Sequence, residues 1–405
     1  MNFNNLQLKV LFYIAILLVS SLSYCAQRAQ GQTSAPHAAS SNAASSSIAA
    51  LKQKLQAQID DWHKNGKFAG ATVGVVLADG TSFGLAAGYS DRDKKTPMRT
   101  GDLMLAGSVG KTYCAAAAMQ LIKEGFFSLD DRIEKYLGKE KWFARLPNAG
   151  DITIRQLMTH TSGLVRYEFK DQFTKDLTAN PAKIWKPEEL VAYILDTEAP
   201  FKAGQGWDYS DTNYIVLGMI MEKTTGKKYY DIVKERVLKP LKLKHTVPSD
   251  SPRIKGLIQG YAGKDNPFGG KDAVIENGKF IINPQFEWTG GGMAATTEDL
   301  AVWAKAMYEG RAFSPDMLAK MTGEAVSAPM LGRDAKYGLG VIIRQTRAGL
   351  TYGHSGFFPG YMTDMMYFPD KKFAVAIQVN SSVPQDLGKP LGRVLVELAE
   401  TIAKN

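Results

Sequence analysis

The stretch "AGSVGKTY", Ala106 to Tyr113, has two incompatible readings. Gly110-Lys111-Thr112 matches the end of a phosphate-binding loop, whereas Ser108 and Lys111 set a hydroxyl and an amine three residues apart. A phosphate loop needs G-x-x-x-x-G-K-[ST], because an arch bounded by glycines turns several backbone N–H groups onto the phosphates. Counting back from Gly110, the first glycine belongs where Leu105 stands, and Gly107 is too close to open the arch. The preceding "TGDLML" is also a poor match to the buried strand such a loop follows. The hydroxyl and the amine are left as the feature to explain.

Residues three apart on a helix share a face, so a helix beginning at Ser108 and running to Gly125 brings the Lys111 amine to the serine hydroxyl. A serine needs a base to become a nucleophile, and a lysine is a base only when neutral. Moving its pKa from near 10.4 to about 7–8 takes roughly 4 kcal/mol of destabilisation of the ammonium. Burial and the positive end of the helix dipole both push that way. Ser108/Lys111 is the only S-x-x-K pair in the chain. Taken alone, it is equally compatible with a surface lysine on an ordinary helix.

Composition sets the frame. The chain has 405 residues, 45% of them hydrophobic and 22% charged, which is ample for a packed core. Lys9 followed by the apolar run Val10 to Val19 and the small polar residues Ser20 to Ser23 reads as a secretory signal, so residues 1–25 are expected to be removed and the protein to be periplasmic or secreted. The run is short for a membrane span, so no transmembrane anchor is expected in the mature form. A lipid anchor at Cys25 would require cleavage after Tyr24, a bulky residue for that junction. Cys114 is then the only other cysteine, and it reads as a small core residue without a disulfide. The net charge of +9 reads as a lysine-rich solvated surface, with no motif that would turn it into nucleic-acid binding. The five histidines, at 37, 63, 160, 245 and 354, are too scattered for a metal site.

Residues 26–48, rich in Ala, Ser and Gln, lack a hydrophobic period and read as a flexible tether to a domain over 49–404. Leu51, Leu55, Ile59 and Trp62 mark one face of a helix ending at Asn65-Gly66. "ATVGVVL" and "SFGLAAGY", separated by Ala78-Asp79-Gly80, read as a hairpin. Helices are predicted at "AAAAMQLI", "LDDRIEKYL", "TIRQLM", "NYIVLGMIMEKTTG", "YYDIVKERVL" and "TTEDLAVWAKAMYEG". Strand-like runs return at Tyr337 to Ile343, Tyr361 to Phe368 and Phe373 to Val379, before a final helix from about Gln385. Strands at both ends with helices between predict an α/β (α+β) fold: one antiparallel sheet built from both chain ends, flanking helices, and a mostly helical insertion over about 105–300. Such seams favour ligand sites.

Two further motifs carry chemistry. Tyr209-Ser210-Asp211 offers a phenol that can shuttle protons beside an ammonium, or else a core tyrosine with Asp211 capping a helix. His354-Ser355-Gly356 offers a strand edge where a glycine lets backbone approach a substrate, or else a turn. There the N–H groups of Phe357 and Ser108 could form an oxyanion hole.

With "GSVGKTY", "GFFSLDDRIEKYL", "ITIRQLMTHTSGL", "YSDTNYIVLG", "GGGMAATTEDLAVWAKAM" and "GHSGFFPGY" in this order, the chain resembles the serine beta-lactamase and penicillin-recognising family. The likeness is to its class C beta-lactamase, D-alanyl-D-alanine carboxypeptidase and esterase branch. The resemblance implies a beta-lactamase/transpeptidase-like fold, with Ser108 as acylated nucleophile, Lys111 as proton acceptor and Tyr209 assisting. It also implies that His354, Gly356 and Phe357 line the substrate strand, that "THTSGL" is structural despite His160 and Ser162, and that the glycines at 290–292 pack closely by the site. No cofactor is implied, and the partner is a small-molecule or cell-wall-type peptide substrate. Two departures stand out. His354 replaces the lysine usual in the beta-lactamases, tilting the expectation toward peptidases and esterases. Asp211 replaces the usual asparagine, and a carboxylate cannot donate to a substrate carbonyl. It is expected to pair with Lys111 or with a cationic group on the substrate. The expected activity is an exported acyl-enzyme hydrolase of a peptide, amide or ester bond; the alternatives are a carboxylesterase of this type and a non-catalytic penicillin-binding-like envelope protein.

Overall fold

The computed structural model describes residues 39–266 and 270–405, so the signal segment and Cys25 lie outside the described residues. The first helix, α1, spans Ala39–Asn65 and begins inside the stretch read as a tether. The alanines that give that stretch no hydrophobic period are good helix formers, so the helix extends upstream of its packed face. The large sheet holds β1 (Gly70–Val76), β2 (Ser82–Asp91), β3 (Thr96–Pro97), β4 (Val326–Ser327), β5 (Lys336–Tyr337), β6 (Ile342–Thr346), β7 (Gly349–Phe358), β8 (Tyr361–Phe368) and β9 (Phe373–Val379). Its order is β3-β2-β1-β9-β8-β7-β6-β5-β4, with β1 antiparallel to β9. The predicted sheet from both chain ends is therefore present, and the junction between the two ends lies inside it, between its third and fourth strands.

Burial explains the strand patterns. β1 and β9 are buried at every residue and read as near-continuous apolar runs, because helices cover both faces. β2 alternates, as a half-covered strand does. On one face, Leu55, Ile59 and Trp62 of α1 join Val73, Val75, Ile377 and Leu395 in one cluster. The final helix begins at Leu391, later than expected, because Pro384–Leu387 forms a separate 3-10 turn. On the other face lies the helix Thr297–Tyr308.

Between β3 and β4 the chain is mostly helical, including Gly110–Lys123 (α2) and Asp211–Thr225 (α3). Embedded in it is a small sheet, unforeseen because its strands are two or three residues long: Met104–Leu105, Met293–Ala295 and Thr246–Pro248. It pins the chain just before Ser108 to the chain just after the 290–292 glycines, and Ala106 N–H donates to the Met293 carbonyl at 2.8 Å. Cys114 is buried on α2 and carries no disulfide.

The orientation of α2 depends on Trp303, fully buried, which stacks on Tyr113 at 4.6 Å and donates from Nε1 to Thr112 Oγ1 at 2.7 Å. Trp303→Ala removes both contacts and leaves a cavity, so we expect a loss of about 3–5 kcal/mol in stability. A chemical-denaturation midpoint equal to that of the parent protein would contradict this account.

Candidate active site

Ser108 sits in a 3-10 turn, Gly107–Val109, that runs directly into α2, and Lys111 is the second residue of that helix. The turn requires Gly107: its φ of +52° lies in the left-handed region, and an added Cβ would stand 2.6 Å from the Phe357 backbone nitrogen. That approach brings the β7 backbone beside the serine. Gly110 likewise has no room for a side chain, since a Cβ there would meet the Gly291 carbonyl oxygen at 1.5 Å. The 290–292 glycines therefore pack against the start of α2, as expected. Next to them Trp288 is held at φ 38°, a region that bulky residues avoid.

Lys111 is fully buried, and its Nζ lies 3.0 Å from Ser108 Oγ. It also contacts the Asp211 carboxylate and the Gly290 carbonyl oxygen. Burial opposes its charge, but Asp211, helped by Tyr209, outweighs burial and holds the pKa above the ordinary lysine value. The expectation that burial and the helix dipole leave this amine neutral is corrected here: a carboxylate in contact supplies more than either takes away. Asp211 is held well below the ordinary carboxylate range; burial works against this, and the Lys111 and Arg166 charges prevail. Asp211 is the first residue of α3, where the helix dipole favours its charge; it does not cap the helix.

Of the two expected partners for Asp211, the structure supplies Lys111, while the place of a substrate cation is taken by Arg166. Its Nη2 donates to Asp211 Oδ2 at 2.8 Å, its Nε donates to Glu168 Oε1 at 2.7 Å, and its guanidinium lies 4.0 Å from the Phe169 ring centroid. Burial pushes the Glu168 carboxyl up to about 8 despite the arginine, and burial does the same for Glu287 beside the glycine turn. Arg166 carries no sequence signal, because its pairing with Asp211 spans 45 residues. The misplaced carboxylate at 211 was the only clue that a cation belonged nearby.

Tyr209 places its ring 4.8 Å from Lys111 Nζ, and its hydroxyl is buried. Burial raises its pKa, and the ammonium pulls in the opposite direction. His160 packs against Tyr209 with its ring tilted and the centroids 4.2 Å apart. Its Nδ1 accepts from the Ser210 N–H at 3.2 Å, which leaves the proton on Nε2, a buried atom without a partner among the described residues. Ser162 bonds to Asn213 and accepts from Leu164 N–H, so the "THTSGL" segment braces Tyr209. His354 is buried on β7: Nδ1 donates to the Ser355 carbonyl at 2.7 Å, and Nε2 therefore accepts from the Tyr337 hydroxyl at 3.0 Å. Burial, with Lys111 nearby, pushes its pKa down to about 3.

Ser108, Tyr209, Arg166, His354, Gly356 and Phe357 line one cavity of about 520 Å³. β6 pairs with β7 only as far as Gly353, so residues 354–358 extend past it along this cavity. Phe169 and Met330, both partly exposed, give it an apolar mouth. Asp211 and Lys111 lie behind the wall. Among the described residues, no His/Cys/Asp/Glu group is arranged to hold a metal ion, and no helix is long and apolar enough to cross a membrane.

A family model described as Beta-lactamase matches residues 49–400. The chain is 25% identical over 302 residues to penicillin-binding protein 4* of Bacillus subtilis, covering 70% of this chain and 62% of that protein. It is 26% identical over 258 residues to Protein flp of Staphylococcus aureus, covering 63% of this chain and 48% of that one. It thus spans about half to three-fifths of the length of these relatives. Among solved structures it resembles a D-stereospecific amidohydrolase from Streptomyces sp., with TM-score 0.69 and 27% identity, over 85% of this chain and 98% of that one. It shares its fold with the D-amino acid amidase of Ochrobactrum anthropi SV3, at TM-score 0.75 and 23% identity over 87% of this chain and 99% of that one. Matched by its model across most of its length, the chain belongs to the beta-lactamase family.

Proposed function

We propose that the protein is an exported serine hydrolase that works through an acyl-enzyme, with D-amino-acid amides or peptides and small esters as its substrate classes. The observation that carries this reading is the 3.0 Å contact between Lys111 Nζ and Ser108 Oγ at the wall of a cavity able to admit a ligand. An ammonium has three N–H donors, and Lys111 has three acceptors, at Ser108, Asp211 and Gly290. When the amine loses one proton, two N–H bonds can remain on Asp211 and Gly290 while the lone pair faces Ser108. Both protonation states fit one geometry.

In that neutral form Ser108 Oγ attacks the scissile carbonyl carbon and its proton passes to Lys111. The N–H groups of Ser108 and Phe357 receive the developing oxyanion. Tyr209, beside the ammonium, relays a proton to the leaving amine or alcohol as the carbonyl–leaving-group bond breaks. Water then attacks the acyl ester and restores the serine. His354 and Gly356 form the wall along which the acyl part lies, and Phe169 and Met330 accept an apolar side chain.

One observation favours a second reading, a non-catalytic binding protein with this fold: Asp211 holds Lys111 protonated at rest. A fluorescent penicillin and an activated ester, offered to the parent protein and to Ser108→Ala, separate the two. We expect covalent labelling and ester turnover in the parent and a loss of about 10³-fold or more in the variant. Turnover that survives the substitution would remove Ser108 from its role, and a parent protein inert to both probes would favour the second reading.

The Asp211 clamp also sets a pH dependence. A pKa raised by Asp211 means the basic form of Lys111 appears only as pH rises, so acylation by the parent protein should climb above neutrality. Asp211→Asn removes the carboxylate, lowers the lysine pKa and should move this rising limb down by about one pH unit or more. The measurement is kcat/KM against pH for one ester, and superimposable profiles would rule out the clamp.

A further inference from the structure

Resting on the proposed acyl-enzyme reading, we propose that Arg166 selects the substrate: its guanidinium binds an acceptor oxygen on the acyl group, favouring N-acylated or carboxylate-bearing acyl donors over those with a free amine. Asp211 cannot donate a hydrogen bond to such an oxygen, and it is also not open to a substrate ammonium, because Lys111 occupies one of its oxygens and Arg166 the other. Arg166 supplies the missing donor. It lines the cavity with Ser108 and Tyr209, and its side chain retains 18% exposure. Glu168 accepts from Nε and Asp211 from Nη2, and Phe169 holds the guanidinium plane from its face. Among the described residues Nη1 has no hydrogen-bond partner and is not among the enclosed unsatisfied atoms, so it is the edge available to a ligand. A fork fixed on two sides loses little freedom when it binds.

The position is specific as well as cationic. The guanidinium lies 5.4 Å from the Tyr209 ring centroid and lines the cavity with Ser108, so an oxygen bound to it lies near the carbonyl under attack, and we assign that oxygen to the acyl part. A substrate with an ammonium at that place would meet Arg166 with Lys111 behind it. Asp208, which also lines the cavity and feels the Arg166 charge, is the group that could attract such an amine. The two make opposite predictions, and the substrate preference decides between them.

The test compares p-nitrophenyl esters of N-acetyl-D-phenylalanine and of D-phenylalanine, each kcat/KM divided by the spontaneous hydrolysis rate of its ester. In the parent protein we expect the N-acetyl ester to be favoured about tenfold to a hundredfold, the value of a hydrogen bond to a charged donor. Arg166→Gln should collapse that ratio toward one, and Arg166→Lys, which keeps the charge and loses the fork, should retain part of it. A parent ratio at or below one overturns the proposal and assigns the preference to Asp208, without requiring any variant to fold. A ratio unchanged in folded Arg166→Gln also overturns it. Ser108→Ala run on both esters keeps the outcomes separate: turnover insensitive to that substitution defeats the hydrolase reading itself, whereas Ser108-dependent turnover without the preference defeats only the role of Arg166.

Discussion

A single carboxylate between two cations organises this site. Asp211 meets Lys111 with one oxygen and Arg166 with the other, in a region where each charge alone would be costly to bury. The arrangement fixes the amine from three directions and leaves one of its contacts for the Ser108 hydroxyl. An asparagine could hold the lysine in place but would not fix its charge. With aspartate, orientation and protonation state are set by the same contact, and readiness as a base is exchanged for a rigid position.

The backbone makes that contact possible. Lys111 is on α2, Asp211 opens α3, Arg166 follows the "THTSGL" segment and Gly290 lies in the turn before the small sheet. They converge because side chains are missing where chains cross: Gly110 admits the Gly291 carbonyl and Gly107 admits the β7 backbone. The strain at Trp288 sits beside the same turn, and backbone strain of this kind persists only where the surroundings determine the conformation.

The sequence carried the sheet and the principal helices because their cause is local. Val73 and Ile377 sit in runs whose apolar character reports burial on both faces, and Leu55, Ile59 and Trp62 repeat at helical spacing. The S-x-x-K spacing likewise reported the Ser108–Lys111 contact, since a single helical turn creates it. The charge of Lys111 was not legible, because it depends on a residue 100 positions away. The Arg166–Asp211 pair and the His354–Tyr337 bond are equally products of tertiary contact, and short strands such as Met104–Leu105 carry too few residues for a period to show.

The protonation states around Tyr209 narrow which groups can move a proton. His160 sits within 4.2 Å of its ring and His354 within 6.1 Å, yet neither can act as a base near neutrality. Burial first, and then the Lys111 charge, push His354 down to about 3 and His160 well below the ordinary range. His354 has both ring nitrogens engaged, and His160 spends its acceptor on the backbone N–H of Ser210. Both imidazoles are therefore neutral frame elements, and in the proposed mechanism a proton leaving Ser108 passes to Lys111 or Tyr209. The same burial that silences the histidines strengthens the hold of Asp211 on the amine, so the apolar packing around the site and the charge inside it cannot be tuned separately.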